Sequence, residues 1–396
     1  CWQICTAALQ LCARSCLPNL QRMFFRGWAV PSHLKNSPHR GKGAAVKKMM
    51  RTISWVLAGA LALLALGIGT FMLHTMTYYK RNMTAVWRAG YVEKQVIING
   101  REINYAEGPD NGPPLLLIHG QAADWQNYAR VLPELADHYH VFAVDCYGHG
   151  RSARAPENYS AAALGSDLAQ FIREVIGETA VVSGHSSGGQ LALWLAANAP
   201  DTVRGVVLED PPLFTTILPR AEKTWNYVDL ATTAHNFVHS GETDFVTYQV
   251  QHGKFYTLFK ELQPRLAQSV LTYRASHPDE PVKVFYMPPV MNELWRGVHT
   301  YDPRFGAAFY DGSWNDGFDQ ADALSRISVP AVLIHTNWRY DEAGILMAAM
   351  DDKDAELARS LIPDVQFIKV DSGHGFHFEK PGDFVQIMVN FLERLQ

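Results

Sequence analysis

Residues 181–193 read VVSGHSSGGQLAL, an apolar run that breaks into two adjacent serines between glycines and then resumes as a helix-forming pattern. A strand that turns sharply into a helix needs glycine wherever a Cβ would clash, and a side chain held at the tip stands in the open. Ser186, at the centre of Gly184-His185-Ser186-Ser187-Gly188, is therefore the candidate nucleophile. Ser187 has a different expected use: its backbone N–H, at a helix N-terminus beside that hydroxyl, can face an oxyanion. A second such donor is expected from the turn that ends LLLIHGQ at residues 115–121, where Gly120 lets the chain fold back. The Gln121 N–H is the choice there, with Ala122 the one-residue alternative.

A serine hydroxyl needs a base within reach. Of the 13 histidines beyond residue 92, His374 has the right setting, on SGHGFHFEKP directly after the apolar run at 365–370 and late in the chain. His119, which is read as holding its own turn, and His335 and His377 are read as structural. So is the His235/His239 pair, whose i, i+4 spacing lacks an HExxH pattern; no metal and no cofactor are expected.

These residues have to be brought together by a scaffold. KQVIINGREINYAE sets Asn99-Gly100 between two alternating runs, the signal for a tight antiparallel hairpin. Short apolar runs recur at 115–118, 141–144, 180–183, 203–208, 329–334 and 365–370, with helical patterns such as 161–176 and 190–198 between most of them. That alternation predicts an α/β fold: a mainly parallel sheet with helices on both faces. Residues 213–326 interrupt it with 114 residues holding 19 aromatics, too long for a simple connection. They are read as an inserted, mostly helical cap over the sheet's C-terminal edge, where open α/β sheets bind ligands. Trp225, Trp295 and Trp314 are its candidate substrate-binding residues, against the plainer reading that cap aromatics form the cap's own core.

Charge divides the chain. Residues 1–92 hold 12 Lys or Arg and no Asp or Glu, leaving 23 bases against 39 acids in the remainder. So acidic a body argues against nucleic-acid binding, which draws its affinity from Lys and Arg. Residues 53–73, ISWVLAGALALLALGIGTFML, carry no charge over 21 positions. As a helix they span roughly 30 Å, the thickness of a bilayer's hydrocarbon core. They are read as a single transmembrane anchor; the rival reading is a cleaved signal peptide, although the run exceeds the usual h-region and lacks a clear cleavage site. Arg40, Lys42, Lys47, Lys48 and Arg51 precede the run and Lys80, Arg81 and Arg88 follow it, so the positive-inside tendency places the body on the non-cytoplasmic side. Residues 1–52 are expected to be a basic, disordered leader, with translation starting at Met49 or Met50. Cys1, Cys5, Cys12 and Cys16 fall there without a CxxC pair. Residues 74–91 are expected to be a linker and 92–396 the folded body.

LLLIHG, DCYGHGRS at 145–152, GHSSGG, VRGVVLEDPP at 203–212 and SGHGFHFEKP, taken in order, resemble the α/β-hydrolase superfamily from about residue 92 to the C-terminus. The resemblance implies hydrolysis through an acyl-enzyme, with Ser186 attacking a carbonyl, His374 moving the proton and a carboxylate orienting His374. A serine where related dehalogenases and epoxide hydrolases carry aspartate argues against those two reactions. The family's Gly-x-x-Asp is missing after the strand that ends at His335: the chain continues TNWRYDE from Thr336, with Arg339 where the acid is usual and Asp341 two residues on. Glu209 and Asp210 end the preceding strand. Tolerant loop length and the order Ser, acid, His favour Asp341, with Asp210 the alternative. The expected substrate is an apolar ester or lactone; C–C bond hydrolysis and cofactor-free haloperoxidation use the same parts, and a non-catalytic ligand receptor is the reading from another class.

Overall fold

The computed structural model describes residues 42–396. The expectations for the leader and its four cysteines up to residue 41 lie outside the described residues. The chain divides into two units, the first ending at Thr77 and the second being Tyr78–Gln396. Helices of eight or more residues are numbered α1 to α9.

Among the described residues of the first unit the chain is helical, as part of α1 (Lys42–Arg88). Its most apolar 18-residue window has a mean hydropathy of 2.3 and buries none of its surface in protein. Such a helix is long and apolar enough to cross a bilayer. Helix begins at Lys42, so residues 42–52 are not the disordered leader expected for them. Residues 74–88 are helical too, where a linker was expected.

The second unit is built on an eight-stranded sheet of order β1-β2-β4-β3-β5-β6-β7-β8. The strands are β1 (Val92–Ile98), β2 (Arg101–Glu107), β3 (Pro114–Ile118), β4 (His140–Val144), β5 (Ala180–His185), β6 (Val203–Glu209), β7 (Ala331–His335) and β8 (Val365–Lys369). Pairings β1–β2 and β2–β4 are antiparallel and all the others parallel. Asn99 at φ 49° and Gly100 at φ 78° make the two-residue turn that the hairpin's right-handed twist favours. Side chains alternate between two cores. Leu116, Ile118, Val182, Leu208 and Leu333 enter one, while Leu115, Leu117, Val181, Val207 and Val332 enter the other. Both faces are therefore covered, as the near-continuous apolar strands require.

Helices α2 (Ala161–Phe171) and α3 (Ser187–Asn198) pack so closely that a Cβ at Gly165 would lie 2.3 Å from the Trp194 ring. Between β6 and β7 the chain forms helices α4 (Phe245–His252), α5 (Gln263–Ser276), α6 (Pro289–His299) and α7 (Pro303–Asp311), with shorter turns. Helix α6 lies directly on the turn after β3, for a Cβ at Gly297 would come 2.0 Å from the Ala122 carbonyl oxygen. Helices α8 (Asp352–Leu361) and α9 (Pro381–Arg394) complete the unit. Met83 and Val86, in the last turns of α1, are buried in the core beneath β3 and β4.

Candidate active site

Strand β5 ends at His185 and α3 begins at Ser187, so the whole turn is Ser186, held at φ 56°, ψ −122°. A non-glycine residue at such a φ is strained, and that strain holds its side chain at the tip of the turn. The neighbours make room for it. A Cβ on Gly184 would lie 2.0 Å from the Gly188 carbonyl oxygen, and one on Gly188 would lie 2.2 Å from that of Ile118. The Ser186 N–H donates to the Glu209 carbonyl at 3.0 Å, tying the turn to the end of β6.

The turn after β3 sits against this elbow: a Cβ on Gly120 would come within 2.9 Å of the Ser186 Cβ. Two buried histidines shape it. His119 donates from Nδ1 to the Gly120 carbonyl at 2.8 Å and accepts at Nε2 from the Cys146 N–H at 3.0 Å. Burial pulls its pKa down to about 4, which keeps it in this neutral, one-donor form. His149 donates from Nδ1 to the Tyr147 carbonyl and accepts at Nε2 from the Ala122 N–H at 3.1 Å, its pKa likewise lowered by burial. Ala122 sits at φ 57° with its N–H committed to His149, so it is removed as an oxyanion donor and Gln121 is left as the candidate in this turn. The Gln121 side chain donates to Tyr301 Oη at 2.7 Å, pinning the turn to the segment between β6 and β7. The Ser187 N–H opens α3 and is one of the four that a helix leaves without an intrahelical acceptor. His149 was not singled out in the sequence; its signal is the DCYGHGRS motif itself.

His374 lies on the loop between β8 and the short helix Phe376–Glu379. His185 Nε2 donates to the His374 carbonyl at 2.8 Å, and the two rings lie 4.6 Å apart, so the His374 loop is seated beside the elbow. Burial drives the His185 pKa down to about 3, which leaves it a neutral positioning group.

The partner of His374 is Asp210. His374 Nδ1 donates to Asp210 Oδ2 at 2.7 Å, and the carboxylate is 1% exposed. Thr336, the first residue after β7, adds its Oγ1 at 2.7 Å and its N–H at 3.3 Å. Burial alone would raise the Asp210 pKa, but the His335 ring 3.7 Å away, the hydrogen bonds from His374 and Thr336 and the His374 charge hold it far below the usual carboxylate range. Burial also pulls His374 down, yet the Asp210 hydrogen bond and charge outweigh it and its pKa is raised above 6.5. The preference for Asp341 is thereby corrected. Asp341 Oδ1 accepts the Ala343 and Ile345 N–H groups at 3.0 and 2.8 Å, closing its own loop. Asp210 reaches the histidine because it leaves β6 at φ 43°, a left-handed conformation that aspartate tolerates.

Two tryptophans are corrected as well. Trp295 and Trp314 are fully buried, with indole N–H groups donating to Tyr256 Oη and Gln190 Oε1, both at 2.8 Å. They are core residues that present no face to a ligand. Trp225 is half-buried.

An imidazole fixed at Nδ1 by a buried carboxylate keeps its tautomer, with Nε2 left to accept a proton. Beside a strained serine on a strand-to-helix turn, that is an arrangement suited to acyl transfer. Strand order, elbow and site together define an α/β hydrolase. Residues 113–381 match the alpha/beta hydrolase fold family, and the chain belongs to it. It is 37% identical over 114 residues to the dihydrolipoyllysine-residue acetyltransferase component of the acetoin cleaving system of Cupriavidus necator, covering 29% of this chain and 30% of that protein. Over 318 residues it is 26% identical to the 2-hydroxy-6-oxo-6-(2'-aminophenyl)hexa-2,4-dienoic acid hydrolase of Metapseudomonas resinovorans, covering 77% and 92% of the two chains. Several matches are partial: the chain spans 30% to 52% of the length of three curated relatives. Among solved structures it is similar to a bacterial membrane phospholipase A, with TM-score 0.56, 23% identity and coverage of 88% and 99%; that likeness is one of fold.

Proposed function

We propose that this protein is a membrane-anchored serine hydrolase that cleaves an ester or lactone of an apolar small molecule through an acyl-enzyme. The observation that carries the reading is the 2.7 Å bond from His374 Nδ1 to buried Asp210, seated beside a serine at φ 56° on a strand-to-helix turn. His374 Nε2 takes the Ser186 hydroxyl proton as Oγ attacks the substrate carbonyl. The tetrahedral oxyanion accepts from the Gln121 and Ser187 N–H groups. Its collapse expels the alkoxide, which takes the proton from His374. A water activated by the same base then attacks the acyl-serine, releasing the acid and restoring Ser186.

The segment between β6 and β7 acts as the cap, because α6 and α7 pack on the turns that carry Gln121 and His149. The apolar part of α1 anchors the enzyme in a bilayer with the body on the non-cytoplasmic side. The solved membrane phospholipase A of the same fold is consistent with chemistry at a lipid surface. A second reading, C–C bond hydrolysis, is favoured by the dienoic acid hydrolase relative and uses the same serine and histidine.

The test is a panel of acyl esters and lactones of graded chain length, run beside a 2-hydroxy-6-oxo-dienoic acid, with the full-length protein in detergent. Turnover of an ester or lactone, lost in Ser186→Ala, supports the proposal. Turnover of the dienoic acid alone replaces it with the second reading, and turnover of neither, with no covalent labelling of Ser186, leaves a non-catalytic receptor.

A further inference from the structure

Five polar side chains that play no part in the proposed chemistry form one continuous hydrogen-bonded chain. It starts at Glu209, the last residue of β6, which is fully buried. The Glu209 carboxylate accepts from the His377 N–H at 2.8 Å and from His377 Nδ1 at 2.8 and 2.9 Å. Burial would raise its pKa, but the interaction with His377, through its side-chain and backbone hydrogen bonds, holds it low, so it stays ionised. The other ring nitrogen of His377 lies 2.8 Å from the Asn127 side-chain amide, and that amide donates to Glu293 Oε1 at 3.4 Å. Glu293, on α6, accepts at Oε2 from the Tyr78 hydroxyl at 3.1 Å. Tyr78 is five residues beyond the end of the apolar run at Leu73.

Two features give this chain mechanical consequence. Glu209 and Asp210 are consecutive, and each holds one of two histidines three residues apart, so the His374 loop and the short helix that follows it are each clamped to the end of β6. At the other end, the buried Arg296 guanidinium bonds both Glu293 and Asp124. Asp124 is two residues from Ala122, in the turn that carries the Gln121 N–H. Two buried carboxylates against one guanidinium depend on added donors, and the Tyr78 hydroxyl and Asn127 amide supply them to Glu293.

We infer that Tyr78, Glu293, Asn127, His377 and Glu209 are a positioning relay, through which the seating of the membrane-proximal end of α1 sets the height of the His374 loop over Asp210. The inference rests on the serine-hydrolase reading. It makes the segment beside the apolar run part of what sets turnover, and these five residues act through His374 without touching substrate.

The test uses full-length protein in detergent, with kcat, KM and the pH dependence of kcat measured per active site counted by fluorophosphonate titration. Tyr78→Phe and Asn127→Ala are each expected to lower kcat about three- to tenfold, the size of one buried hydrogen bond, with KM within about twofold. Both are expected to move the acid limb of the kcat profile to lower pH, because a loosened Asp210 bond no longer holds the His374 pKa up. Tyr91→Phe removes a buried hydroxyl that donates to the Leu132 carbonyl at 2.7 Å, outside the relay, and is expected to change neither. Wild-type kcat per titrated site and an unmoved acid limb in both relay variants would overturn the inference, even if those variants lose folded protein. Failure of the wild type to be titrated at all would instead sink the serine-hydrolase reading beneath it.

Discussion

Asp210→Asn is the sharpest perturbation of the site. Asp210 Oδ2 accepts two donors, His374 Nδ1–H and Thr336 Oγ1–H, each at 2.7 Å. An asparagine either presents its NH₂ to both donors or presents a neutral carbonyl. In the first case the His374 tautomer reverses, and in the second the imidazolium formed during attack loses its counter-charge. Loss of such a carboxylate typically costs about 10⁴-fold in turnover, or about 5.5 kcal/mol of barrier, with modest change in KM. Asp341→Asn differs in kind. The Asn carbonyl still accepts the Ala343 and Ile345 N–H groups, so turnover is expected within about threefold of wild type, less than about 1 kcal/mol. The assay is kcat on the best ester of the graded panel, with thermal denaturation alongside to confirm that both variants are folded. A crippled Asp341→Asn beside a nearly intact Asp210→Asn would refute the reasoning.

Three more outcomes follow from the same geometry. His374 acts as base only when neutral and its pKa is raised, so kcat is expected to fall as pH drops through a midpoint above 6.5; Asp210→Asn, which removes the hydrogen bond and charge that raise it, is expected to move the midpoint of its residual activity to lower pH. The sign for stability is opposite: the raised His374 pKa stabilises the fold at low pH, and that contribution disappears as pH rises through the folded-state value, which urea titrations across pH 5.5–8.5 in roughly half-unit steps would detect. Trp295→Ala and Trp314→Ala are each expected to cost about 3–5 kcal/mol of stability in denaturation while leaving the ranking of acyl-chain lengths unchanged. A chain starting at Tyr78 is expected to stay folded, whereas one starting at Ala89 loses the buried Tyr78, Met83 and Val86 side chains, on the order of 5 kcal/mol, and is expected to melt earlier by calorimetry.

Much of this molecule was legible from sequence where local chemistry and global fold demand the same residues. Asn99-Gly100 could only be a tight turn between alternating runs, and the glycines around Ser186 are dictated by backbone contacts as close as 2.0 Å. The acid was misplaced for a physical reason. Loop length does not say whether a carboxylate will reach across the sheet edge or satisfy its own turn, and Asp341 does the latter. A signal for Asp210 was present all the same. Two acids ending a buried strand need two partners, and the two histidines of SGHGFH are spaced to provide them. Trp295 and Trp314 were misread because composition does not say which way an aromatic faces. The last turns of α1 were taken for a linker because the apolar stripe of Tyr78, Met83 and Val86 is short and follows a much stronger apolar signal.

The central claim is that Ser186 becomes covalently attached to substrate. The direct measurement is mass spectrometry of peptides from protein treated with a fluorophosphonate, and separately from protein quenched during turnover of its best ester. Both adducts are expected on the Ser186 hydroxyl, lost in Ser186→Ala and retained in Ser187→Ala, whose backbone N–H is intact. An adduct on any other residue, or turnover that survives in Ser186→Ala, would contradict it.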